Sequence, residues 1–172
     1  PGVGPGPSPN RPGPTRWHPS SSSPDVPASF AGTYNVTTIV RTDGCMLGGM
    51  PGSMSRDIPA VVTQVDGEAS AHVDIGGLSG GFLDLVVGTH GLDGVVIANH
   101  LTATLVGTKP QTTGACMYTV NALLDLDLTG DAVSGTLSVY DVTNGVSTCT
   151  AQTGCSSTFA VTGMRVPPMP AM

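Results

Sequence analysis

Four cysteines, Cys45, Cys116, Cys149 and Cys155, are the residues of this chain whose chemistry their spacing constrains most. The gaps between them hold 70, 32 and 5 residues, with no Cys-x-x-Cys pair of the kind zinc sites use. Disulfides are therefore expected, and with them an oxidising, extracytoplasmic compartment. Four cysteines allow three pairings. We expect Cys45 with Cys116, and Cys149 with Cys155 closing a short loop.

The other reactive side chains do not assemble into catalytic machinery. His72 falls on the polar face of an alternating segment, and His90 and His100 fall in breaks between segments, an arrangement that does not gather three ligands around one metal. No Gly-x-Ser-x-Gly turn is present, and Gly52-Ser53 sits in a Pro- and Met-rich loop. Asp125 and Asp127 share a face opposite the apolar one, a solvated position unsuited to acid–base work. Asp131 adds a third carboxylate without a calcium-loop motif. No enzyme, cofactor or metal centre is expected. The remaining candidates are apolar: Met46, Leu47, Met50 and Met54 in one Gly-rich loop, and Phe82 and Leu83 in another segment. Methionine is adaptable and polarizable, and suits a ligand entrance. The competing expectation is that these loops fold over the domain end as a plug.

The elements that would position them are strands. Tyr118, Val120, Ala122, Leu124, Leu126 and Leu128 alternate with Thr119, Asn121, Asp125 and Asp127, the period-two pattern of a half-buried strand. Similar alternation runs through 32–41, 69–75 and 101–105. Asp66-Gly67, Asn99-His100 and Gly130-Asp131 mark hairpin turns. The expected hairpins are 58–65 with 68–75, 92–98 with 101–107, and 117–128 with 132–140. A first strand near 32–41 and a last near 157–166 bring the count to eight. An up-and-down barrel closes antiparallel only with an even number. The apolar run Phe82–Val87 is therefore read as part of an insertion at 78–89: a short helix, a lid or an edge strand. This threading puts the short turns at one end and the long connections 42–57, 76–91, 108–115 and 142–156 at the other. All four cysteines then lie in or beside the long loops.

The fold class is thus all-β: an eight-stranded antiparallel meander barrel over 30–166. Residues 1–29 are a Pro/Gly/Ser-rich arm, disordered or extended, with too little apolar surface to offset ordering entropy. Residues 167–172 form a tail. The chain begins at Pro1, and the arm is expected to tether the domain to a signal peptide or lipid anchor upstream. No transmembrane run is present, since no apolar stretch approaches the ~20 residues a spanning helix needs. Net charge is −6, with a single lysine. No basic stripe with interleaved aromatics exists, which excludes nucleic acid and disfavours anionic membrane surfaces.

Gly32-Thr33-Tyr34 at the first strand and Arg165 late in the last resemble the lipocalin-like (calycin) barrels, in which Gly-x-Trp opens the first strand and a late Arg packs on that aromatic. Tyr stands here in place of Trp. The resemblance implies a structural lock of Gly32, Tyr34 and Arg165 at the closed end, the guanidinium lying over the tyrosine face. The Leu-Thr-x-Thr-Leu hairpin segment at 101–105 is similar to those of small bacterial envelope lipoprotein domains. The expected function is an exported or envelope-tethered binding module. Its partner would be a small apolar ligand at the loop end, or an envelope protein. The alternative is a structural or adhesive cell-surface domain, assembling through its outer face or its Pro-rich arms with no small-molecule ligand.

Overall fold

The structure, a computed structural model, describes residues 26–167 together with Gly2. Most of the Pro-rich arm and most of the tail lie outside the described residues. Among the described residues nine strands and one α-helix follow in order. They are β1 (Gly32–Asp43), β2 (Met54–Gln64), β3 (Ser70–Ile75), α1 (Gly77–Val86), β4 (Gly91–Ile97), β5 (His100–Leu105), β6 (Gln111–Thr113), β7 (Cys116–Thr129), β8 (Ala132–Thr143) and β9 (Ser156–Arg165). Eight of the strands form a closed antiparallel barrel in the order β5-β4-β3-β2-β1-β9-β8-β7, with β5 returning to β7. The extra strand is β6, three residues paired with the start of β7. It is not the apolar run Phe82–Val87, which lies in α1 and the residue after it.

The alternation gives the curled sheet an apolar inner face and a polar outer one. In β5, Leu101, Ala103 and Leu105 are buried while Thr102 and Thr104 are exposed. In β7, Ala122, Leu124 and Leu126 face the same interior. Across the closing seam Leu101 pairs with Leu126 and Leu105 with Ala122, so both strands place their apolar side chains on one face. Closure leaves no long edge open to pairing. The β4–β5 turn falls at Ala98-Asn99, one residue earlier than expected, and His100 already belongs to β5.

Two disulfides tie the long-loop end, but with other partners than expected. Cys45 bonds Cys155, and Cys116 bonds Cys149. Sheet order is the reason. Closure sets β1 beside β9, with Asp43 opposite Ser157, so the residues just outside that pair face each other. Likewise β7 pairs with β8, with Tyr118 opposite Thr143, which brings Cys116 alongside the β8–β9 connection. Cys45 instead follows the end of β1 and Cys116 opens β7, two strands that β9 and β8 separate. Both sulfur pairs mark an oxidising environment.

Candidate functional site

The closed end is sealed from below. Phe30 is fully buried, its backbone N–H donating to Gln64 Oε1 (2.7 Å). Ala28 donates from its backbone to Ala98 (2.7 Å). The last residues of the expected linker therefore pack against the barrel floor. Tyr34, also buried, donates its hydroxyl to the Phe30 carbonyl (2.9 Å). Arg165 donates to the same phenolic oxygen from Nε (3.1 Å) and Nη2 (2.9 Å), and to the Ser29 carbonyl (2.7 Å). Its guanidinium carbon lies 5.5 Å from the Tyr34 ring centroid. Contact is thus made at the hydroxyl edge, where charge-assisted hydrogen bonds add to any attraction from the ring. Gly32, at φ +146°, permits it: a Cβ there would press on the Arg165 stem at 3.3 Å.

Above this floor the barrel is hollow. A cavity of about 440 Å3 rises from Phe30 and Tyr34 between inward side chains of all eight barrel strands, Val62, Val73, Leu92, Leu105, Leu124 and Val161 among them. No charged side chain lines it, and its polar members are Tyr34, Thr38, Ser55, Ser79 and Asn121. Asn121 is buried, its carbonyl oxygen accepting from the Gly107 N–H (2.9 Å). Such a volume and lining fall within the range of small-molecule pockets.

The mouth lies between the start of β2, at Ser55 and Ile58, and α1, at Leu78, Ser79, Phe82 and Leu83. Helix α1 is held close by its small residues. Gly76 donates to the Pro59 carbonyl (2.7 Å), and Gly80 lies where a Cβ would collide with the Ile75 carbonyl. Its C-terminal carbonyls are capped by Lys109 Nζ on Leu85 and by Gln111 Nε2 on Val86 (2.8 Å), cationic and neutral donors where the helix dipole is negative. Leu83 and Val86 pack on the core.

Phe82 and Leu83 therefore lie at the cavity mouth, whereas Met46, Leu47, Met50 and Met54 lie outside the lining. Met54 belongs to β2 and contacts Arg56, and the other three sit in the β1–β2 loop. That loop is drawn over the barrel rim by its backbone. The Asp43 carboxylate accepts from the N–H groups of Leu47 (2.8 Å), Gly48 (3.0 Å) and Gly49 (3.1 Å), and from the Ser157 hydroxyl (2.9 Å). Gly49 packs on Val40, and the Gly52 N–H donates to the Val40 carbonyl (2.8 Å). The loop thus folds back on the end of β1, and its methionines are exposed to solvent. Hydrogen bonds from Leu47 first, then from Ser157, Gly48 and Gly49, hold the Asp43 carboxyl below its ordinary value despite some desolvation. An Asp followed by a Gly-rich loop is an Asx-type signal, and Asp43 was findable on that ground.

Three polar features lie outside the cavity lining. His72 lies between Asp93 (Nδ1 to Oδ1, 2.7 Å) and Asp74 (Nε2 to Oδ1, 3.2 Å), while His90 meets Asp84 of α1 (2.7 Å). The hydrogen bond to Asp93 chiefly, aided by Asp74, raises the His72 pKa against opposing desolvation. His100 pairs with Asp127 (2.9 Å), and Thr102 with Asp125 (2.9 Å), on the outer face. Near the Cys45–Cys155 bridge an oxygen of Asp141 lies within 4.8 Å of both sulfurs. Bonded to each other, those sulfurs are not free as metal ligands. Burial pushes the Asp141 carboxyl up, and its Oδ1 has no hydrogen-bond partner. Among the described residues no helix is long and apolar enough to cross a membrane.

An eight-stranded antiparallel barrel with one added strand is the architecture that the lipocalin-like resemblance implies. Compared with protein-family models, with curated proteins and with solved structures, the chain finds no significant match in any of the three.

Proposed function

We propose that this chain is an exported or envelope-tethered binding module of lipocalin-like type, which takes a small apolar ligand into its barrel and acts by sequestration rather than catalysis. One observation carries the reading: a cavity of about 440 Å3, without a charged side chain in its lining, opening at the disulfide-stapled end. An apolar molecule entering it leaves water for a preformed site and orders little of the protein, which favours binding. The Cys45–Cys155 bridge fixes the base of the β1–β2 loop, and hydrogen bonds to Pro59, Lys109 and Gln111 fix α1, so the entrance is preorganised.

The test is displacement of an environment-sensitive apolar fluorophore, with native mass spectrometry of the protein as isolated. Wild type should bind the probe with micromolar affinity. Ala122→Phe, which projects a ring into the cavity, should abolish that binding while keeping the fold. No probe binding by wild type, or equal binding by the variant, would overturn the proposal and favour a structural or adhesive domain. The outer face around β3, β5 and β7 is built of His–Asp and Thr–Asp pairs, a solvated surface more than an adhesive one.

A further inference from the structure

The polar groups of the cavity lining are not spread evenly along the barrel. At the floor the Tyr34 hydroxyl is saturated. It donates to the Phe30 carbonyl and accepts two N–H groups of Arg165, which uses its one proton and both lone pairs. The buried Asn121 side chain is turned to the Gly107 N–H and to Thr119. The remaining hydroxyls are at the mouth. Thr38 of β1 stands opposite Ser55 of β2 in the strand register, and Ser79 belongs to α1 on the other side of the entrance. All three line the cavity, and among the described residues none of them hydrogen-bonds another protein group through its side chain. Thr38 and Ser79 are half-buried and Ser55 is exposed.

No charge is offered at the same place. Of the cations at this end, Lys109 donates to the Leu85 carbonyl and Arg56 to the Met54 sulfur, while Arg41 is exposed. Of the carboxylates, Asp43 is occupied by the β1–β2 loop and Asp84 by His90. None of these, nor Asp57 or Asp141, enters the lining. An ionised head group drawn down to the mouth hydroxyls would lose hydration without meeting a counter-charge, and hydroxyl groups alone do not offset that cost. An uncharged oxygen loses far less, and a hydroxyl can either donate to it or accept from it.

We infer that the ligand is a neutral amphiphile: an apolar body that enters first and fills the barrel, and one uncharged oxygen head, an alcohol or ester, held at the mouth by Thr38, Ser55 and Ser79. The inference rests on the barrel being a ligand cavity, and adds to that reading an orientation and a rule of selection. Orientation follows from the floor, where Phe30 and a saturated Tyr34 leave nothing for a polar end to bond. Selection follows from the mouth, where hydroxyls stand without a charge beside them. Long-chain carboxylates and alkylammonium ions of the same length are rejected there.

The experiment is competition at neutral pH between the apolar fluorophore and 1-decanol, decanoate or decylammonium, which share one chain length, on the 172-residue chain. 1-Decanol should displace the probe at least about tenfold more tightly than either ion. Thr38→Val and Ser79→Ala alter separate elements. Each should weaken 1-decanol by roughly three- to tenfold and leave the affinity of the probe, which has no hydroxyl, as in wild type. Equal displacement by the alcohol and the ions would place the head group in bulk water and overturn the inference, with the cavity reading intact. Binding of 1-decanol that neither variant weakens would overturn it in the same way, as would probe binding that none of the three competitors displaces. Absence of probe binding would remove the cavity reading itself, and this inference with it.

Discussion

Removing the inner staple tests both the closure of the barrel and the pairing that follows from it. Cys116 and Cys149 are 33 apart in sequence, and the chain-entropy relation assigns such a cross-link about 3.7 kcal/mol. Both cysteines are fully buried, so Cys116→Ala/Cys149→Ala also leaves a small void, adding about 1 kcal/mol. The outer bridge spans 110 residues and encloses the inner one. With the inner bridge intact, the effective unfolded loop shortens to roughly 78 residues and the expected contribution to about 4.5 kcal/mol. The two double variants should therefore lose similar amounts, each a large share of the 5–15 kcal/mol typical of a domain. Urea unfolding followed by circular dichroism reads both numbers, with a larger m-value because the unlinked chain exposes more surface. A loss below 1 kcal/mol for either variant would refute the entropic reasoning. A non-reducing peptide map showing Cys45 joined to Cys116 would refute the sheet order itself.

Tyr34→Phe removes an oxygen that accepts from Arg165 and donates to Phe30. It should cost about 1–3 kcal/mol in urea unfolding, because the partners stay buried or half-buried without it; a change under 0.5 kcal/mol would make the lock ornamental. Asp43→Ala should raise hydrogen exchange across 45–53 at neutral pH. Since the Asp43 carboxyl is held low by Leu47, Ser157, Gly48 and Gly49, its stabilisation is present above the ordinary value of 3.8 and fades as pH falls through the depressed one. The gap in Tm between wild type and variant should therefore close in acid. His72 behaves oppositely: raised by Asp93 and Asp74, it stabilises fully below 6.5 and ceases to as pH rises through its folded value. An NMR titration of the imidazole in wild type and Asp93→Asn should show the lower pKa in the variant, and equal values would remove Asp93 as the cause.

The strands were legible because a half-buried strand writes its geometry into the sequence. The alternation from Tyr118 to Leu128 and the turn after it locate β7 and β8 to within a few residues. The even-number argument also held: the apolar run at 82–87 stays out of the sheet, in a helix and its end. Side-chain direction in the β1–β2 loop was not legible. Four apolar residues near a mouth suggest a lining, but a carboxylate and the Val40 carbonyl fold the backbone back on the end of β1 and leave the methionines exposed. The disulfide pairing was half legible. Closure already requires the first and last strands to be neighbours, which sets Cys45 near Cys155; nearness in sequence favoured Cys149 for Cys155 and concealed it.

Why the barrel is hollow follows from where its large side chains lie. Phe30 and Tyr34 fill the closed end completely. Along the cavity wall two inward positions are small, Ala60 opposite Tyr34 and Ala122 in β7, beside valines and leucines. Strand number and stagger set the radius of a closed barrel, so small side chains cannot draw the wall inward to meet. An apolar void carries a cost of about 24 cal/mol per Å3, so a dry quarter of the cavity would cost about 2–3 kcal/mol, less than either staple contributes. This reverses the usual sign of a small-to-large substitution. In a filled core Ala122→Phe would destabilise by about 1–3 kcal/mol through overpacking. Here the ring enters empty space, and the ligand-free variant should unfold at higher urea than wild type. A drop in midpoint would mean that the interior closes up in solution, leaving no room for the proposed ligand.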